Sequence, residues 1–162
     1  MARHPYKNFS AIEYAKKYCS KTGKDGNSCG EYLTGESKSD CAHFLAHCLA
    51  AGGIKVLNTN PGTAFCPDKL AVRNTDIEAE LKRLAKQFDN IKEIDLSDAI
   101  VGDVGFLQAH RPWHAFMVCE VWNIGMPTST PKVWAHSSAR CCEEMDTDWK
   151  HWFSSAYRLE DG

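Results

Sequence analysis

The chain has no run of about 18 apolar residues, so no segment reads as a membrane-spanning helix. Its first stretch, MARHPYKNFSAIEYAKKYC, lacks the apolar core of a signal peptide. These two absences predict a soluble chain made in the cytoplasm without a Sec signal, and no membrane partner. There is also no basic block and no interleaving of basic with aromatic residues, and the formal net charge is −2. Nucleic acid is therefore not an expected partner. No C-x-x-C pair occurs, which argues against a structural zinc site or a thioredoxin-like motif. No internal repeat or low-complexity linker divides the 162 residues. A chain of this length can bury a sizeable core, and residues 1–162 are read as one domain.

Cysteine is plentiful. Cys19, Cys29, Cys41, Cys48, Cys66, Cys119, Cys141 and Cys142 make eight, below the density of a disulfide scaffold. Reduced thiols are the default expectation. Export by a specialised secretion route that leaves no N-terminal signature would let some pairs oxidise.

The hydrophobic pattern changes along the chain. Ser10-Ala-Ile-Glu13 has capping-box spacing and predicts a helix over about 10–20. Residues 21–38 are rich in Gly, Lys and Ser and read as a loop. A second helix is expected over about 40–51, stopped by Gly52, and residues 53–73 read as irregular. Thr75-Asp-Ile-Glu78 is a second capping box, followed by Ile77, Leu81, Leu84, Ala85 and Phe88 on one face. After residue 90, AIVGDVGFLQ, HAFMVCEVWN, PKVWAHSS and WFSSAYRLE read as strands. Helices first and strands after predict an α+β domain with a helix packed on an antiparallel sheet.

The chemistry concentrates in SDCAHFLAHCLAAGG, residues 39–53. Cys41, Phe44, Leu45, Cys48 and Leu49 form its core stripe, and Cys41 lies at the N-terminal end. Free backbone N–H groups and the helix dipole there favour a thiolate and can bind an oxyanion. A nucleophilic thiol needs a base. His114 opens the most strand-like segment and His136 lies in the next, so the two can meet at neighbouring strand ends, one as base and one orienting it. A small buried hydrophobe is the plainer reading of Cys41. A surface or core histidine is the plainer reading of His114 and His136, and the one kept for His4, His110 and His151. His43 and His47 stand at i and i+4, a spacing that can bind a metal, but Phe44 occupies the place where the zincin pattern has Glu.

The order YAKKY, DCAHFLAHCLAAGG, GDVGFL, a strand opening with His, then WAHSS resembles the putative amidase domain family. That family lies in the papain-like superfamily with NlpC-type and CHAP peptidoglycan hydrolases. The resemblance spans about residues 11–138. Asp40-Cys41 with Phe44 and Gly52-Gly53 is its most specific part, and Gly102-Asp103 adds to it. His43, Ala46-His47, Ala115 and Ser137 depart from the family's pattern. The resemblance implies a papain-like fold with Cys41 as nucleophile, His114 as general base and acid, and His136 holding the imidazole. Backbone amides around Cys41, with Asp40 in support, would form the oxyanion site. It implies a cysteine amidase or peptidase that needs no cofactor and acts on amide bonds, foremost in peptidoglycan peptides. An antibacterial effector, exported by a dedicated machine and neutralised in its producer by an immunity protein, is the favoured setting. An inactive papain-like binding module and a small metalloprotein using His43 and His47 are the alternatives.

Overall fold

The computed structural model describes residues 2–20, 41–59, 68–107, 114–122, 130–136, 140–144 and 154–162. The expected loop at 21–38, Asp40, Cys29, Cys66, His110 and His151 lie outside these residues. Among the described residues no helix is long and apolar enough to cross a membrane.

Among the described residues three helices precede the sheet: α1 (Asn8–Tyr18), α2 (Cys41–Ala51) and α3 (Asn74–Gln87). Neither capping box caps its helix. α1 starts two residues before Ser10, with Lys7 in the cap position and no side-chain cap bond. Its first N–H, on Asn8, donates instead to the Asp161 carboxylate at 2.8 Å. α3 starts one residue before Thr75, again with no side-chain cap bond from Arg73. There Arg73 and Thr59 tie the first turn through Asp76. In α1 an acceptor from far along the chain has replaced the local one; in both helices the orphan amides of the first turn are what such contacts compete for.

α2 ends as its Gly-Gly pair demands, though on the second glycine. Gly53 takes the left-handed conformation, φ 104°. Its N–H donates to Ala50 O, and Ile54 N–H donates to Leu49 O, which together close a Schellman motif. Gly52 serves a different purpose: a Cβ there would collide with the ring of buried Tyr6.

Six antiparallel strands form one sheet: β1 (Ile91–Ile94), β2 (Val104–Leu107), β3 (His114–Trp122), β4 (Thr130–Ala135), β5 (Arg140–Glu144) and β6 (Ser154–Leu159), in the order β1-β6-β2-β3-β4-β5. The fold is thus α+β with helices before an antiparallel sheet. β1 and β5, the two edges, are additions to the sequence reading, as is a short 3-10 turn at Leu96–Asp98. The strand expected from Ala99 begins only at Val104, because Gly102, φ 92°, turns the chain first.

Side chains alternate across this sheet as the pleat requires. Val104, Phe106, Ala115, Met117, Trp134 and Tyr157 join the cluster that holds the helices. Leu107, Phe116, Val118, Val133, Ala135 and Ala156 join a second cluster closed by Leu96 and Ala99. The helix layer covers the first face: α2 packs on β3 and β4, α1 on α2, and α3 on β1. α2 is not amphipathic in this setting. Every residue from Cys41 to Leu49 is buried, so the expected single core stripe is in fact a helix enclosed on all sides.

The Gly-Asp pair has a structural reading. Gly102 N–H donates to Val118 O, and Asp103 accepts from Ile100 N–H and from Arg158 at 2.9 Å. Burial pushes the Asp103 carboxyl up, and the Arg158 guanidinium opposes that shift. Among the described residues two disulfides are closed, Cys19–Cys141 and Cys119–Cys142, against the expectation of reduced thiols. The second crosses from β3 to β5, where Cys142 holds a left-handed φ of 63°. β5 also meets β4 through a register shift at Val133/Trp134.

Candidate active site

Cys41 is the first residue of α2, and it is buried and outside the described disulfides. The helix begins there, so the amides of its first turn have no intrahelical acceptor. Sequence alone placed Cys41 correctly at a helix N-terminus.

One turn along, the Phe44 ring stacks on His136, with centroids 3.9 Å apart and planes 17° apart. His136 follows β4 directly, is 1% exposed, and lies on the helix side of the sheet. Its Nε2 is 2.7 Å from the backbone oxygen of Tyr18. A carbonyl can only accept, so Nε2 carries the proton, and in the neutral ring Nδ1 is the acceptor. Tyr18 is the last residue of α1, and its carbonyl is one of those the helix leaves unpaired. His136 therefore caps α1 while lying against α2.

His114 is the first residue of β3, half-buried and in register with Leu107. Met117 stands opposite Trp134, and two further steps along that register set Ala115 opposite His136. The two histidines thus occupy the same end of neighbouring strands, one residue out of step. In the alternation His114 is in phase with Phe116 and Val118 rather than with Ala115 and Met117. A meeting with Cys41 has to run around the end of the strand and not through the face of the sheet.

His43 and His47 turn to the other flank of α2. The His43 Nδ1–H donates to Ala71 O at 2.9 Å, which leaves its Nε2 as acceptor. The His47 Nε2 lies 3.2 Å from it and donates. Tyr14 stacks on His47, its ring plane 9° from parallel. Burial first, and then His43, pulls the His47 pKa down to about 4. Each Nε2 is engaged with the other. Among the described residues no group of three or more His, Cys, Asp or Glu side chains gathers that could hold a metal. The described pockets also lie on this side, one of them lined by Tyr14, Tyr18, His47, Lys55 and Asp68.

Phe44 was read as a core and motif residue, but its stack on His136, the role of the Tyr18 carbonyl and the Cys19–Cys141 bridge were not read from sequence. Tyr18 and Cys19 do stand together in YAKKYC, but nothing in that string points across 118 residues to His136.

The model of the family described as a putative amidase domain matches residues 5–63. That stretch carries α1 and α2, Cys41 included, and stops before α3; His114 and His136 lie beyond it. The chain is thus amidase-like over the part that bears the thiol, and the match points to amide hydrolysis at a general level. No curated protein and no solved structure matches the chain.

Proposed function

We propose that this protein is a cysteine amidase of papain-like type, with Cys41 as nucleophile and His114 and His136 as its histidines. The observation that carries the reading is the position of Cys41. It is a buried cysteine outside the described disulfides, at the start of a buried helix and inside the amidase-like stretch, one turn from Phe44, whose ring stacks on a histidine of fixed tautomer.

In this reading the Cys41 thiolate attacks the carbonyl carbon of an amide. The oxyanion that forms is held by backbone amides at the start of α2, with Asp40 in support. An imidazolium gives its proton to the leaving amine, and a thioester to Cys41 remains. Water, deprotonated by the same imidazole, then releases the acid and the free thiol. His114 acts as base and acid from the end of β3, and His136 orients it. No cofactor enters any step.

The substrate proposed is a peptidoglycan peptide, and the setting an antibacterial effector with a cognate immunity protein. Two closed disulfides support delivery into an oxidising space, where such bonds persist. The test is incubation of the wild type and Cys41→Ala with purified peptidoglycan fragments, read by mass spectrometry. A new amine and acid terminus made by the wild type alone upholds the reading. Equal cleavage by both proteins removes Cys41 from the chemistry. No cleavage of these fragments, with turnover of other peptide amides, keeps the amidase and discards the substrate.

A further inference from the structure

The Cys19–Cys141 disulfide ends next to both partners of the His136 hydrogen bond. Cys19 follows Tyr18, whose carbonyl accepts from His136 Nε2. Cys141 pairs with Trp134, two residues before His136, in the β4–β5 ladder. The bridge closes a separation of 122 residues. It fastens the end of α1 to the corner of the sheet from which His136 projects. Cys19 is buried at 3% exposure, and its own N–H continues the α1 ladder to Ala15 O. The Cys119–Cys142 disulfide joins β3 to β5 within the sheet and does not include a residue next to Tyr18.

α1 is also held by Tyr14, which stacks on His47, and the bridge adds a covalent tie just past its last residue. Its fully buried side chains are the small ones of Ala11 and Ala15. The last turn carries Lys16 and Lys17, and Tyr18 packs only partly buried. Without the bridge, the Tyr18 carbonyl is free to retreat with a fraying helix end.

We infer that the Cys19–Cys141 disulfide, acting through the Tyr18 carbonyl, is the positioning element of His136, so that the thiol site is assembled in the oxidised protein and loosened in the reduced one. The inference rests on the proposal that His136 serves Cys41. Closing the bridge removes two protons and two electrons from the Cys19 and Cys141 thiols. A disulfide of an exchange partner, such as glutathione disulfide, accepts them and leaves as two thiols. Reduction by a dithiol runs the same exchange backwards. A chain held in a reducing compartment would then carry a slack site that tightens on export.

The experiment compares the wild type with Cys19→Ala/Cys141→Ala and with Cys119→Ala/Cys142→Ala. Nitrogen-15 NMR of the histidine rings reads the Nε2–H tautomer of His136 and its hydrogen bond, and iodoacetamide reads the reactivity of Cys41 at pH 6. The expected result is loss of the His136 signature in the first double variant only. Labelling of Cys41 should fall there by on the order of ten- to a hundredfold, the cost of a displaced catalytic partner. An unchanged His136 signature without the Cys19–Cys141 bridge overturns the inference. A lost signature with unchanged labelling upholds the positioning of His136 but refutes its service to Cys41. Should the first variant fail to fold, graded reduction of the wild type by a phosphine answers the same question. The species with only Cys19–Cys141 open, identified by mass spectrometry, is then measured by labelling of Cys41.

Discussion

Cys41 and Cys48 share a helix, a face and a degree of burial, each 2% exposed or less and each outside the described disulfides. They differ in where the helix puts them. Cys48 lies two turns in, where every nearby amide is already bonded within the helix, and burial pushes its thiol well above the ordinary value. Cys41 lies at the start of the described helix, where the amides have no acceptor within the helix itself. Burial alone therefore does not distinguish a reactive thiol from an inert one. The supply of unpaired donors does, and in a helix that supply exists only at one end.

The sharpest way to test this contrast is to delete each sulfur. Cys41→Ala should lower amide hydrolysis at least about a thousandfold, as loss of a nucleophile does. Its thermal midpoint should stay within a few degrees of wild type, about the scale of 1 kcal/mol or less. Hydrolysis at the wild-type rate would sink the assignment.

The enclosed middle of α2 should show itself in acid. His47 binds a proton at about 4 when folded and near 6.5 when unfolded, so the unfolded chain takes up protons first as pH falls. Stability should therefore decline between about pH 6.5 and 4, by up to about 3 kcal/mol before solvent screening reduces it. Denaturant titrations at a series of pH values measure this. His47→Gln should flatten the slope over that window; an unchanged slope would mean another group sets it.

A smaller effect is expected from Cys48→Ala. It should cost about 1–2 kcal/mol through the cavity left among packed side chains, with hydrolysis retained. Urea unfolding and the peptide assay together decide it. If activity falls with stability unchanged, the two thiols are not divided as described. The last expectation ranks the two histidines: His136→Ala should slow Cys41 labelling as loss of the Cys19–Cys141 bridge does, yet less than His114→Ala, because orientation is lost rather than the base. The reverse order would exchange the roles of the two histidines.

Much of this layout is visible in the sequence because it is local. The 3.6-residue period marks α2 and α3, the Gly-Gly pair marks the end of α2, and β-branched and aromatic runs mark β3, β4 and β6. What fails to show is non-local. β1 is only Ile-Lys-Glu-Ile, and β5 is Arg-Cys-Cys-Glu-Glu, with no β-branched residue; each is a strand because a neighbour pairs with it. The capping boxes misled because the acceptor used at α1 comes from Asp161, 153 residues on. The burial of His43 and His47 was unreadable because their partners are a backbone carbonyl at Ala71 and each other. Cys41 was legible as a helix-terminal thiol, whereas the tautomer of His136 depends on a carbonyl in a different helix.

The two ends of the sheet order, β1 and β5, have a bearing on how copies of this protein behave toward one another. A bare strand edge invites a second chain to add on, and stacked addition leads to insoluble fibres. β1 is four residues long, and its Lys92 and Glu93 are exposed, Lys92 pairing with Glu160. β5 carries exposed Glu143 and Glu144, meets β4 out of step, and is twisted by the left-handed Cys142 that Cys119 holds down. An incoming strand would have to bury these charges and follow a kinked backbone. The sheet is thereby kept to six strands, and crowded copies of the protein are discouraged from growing along it.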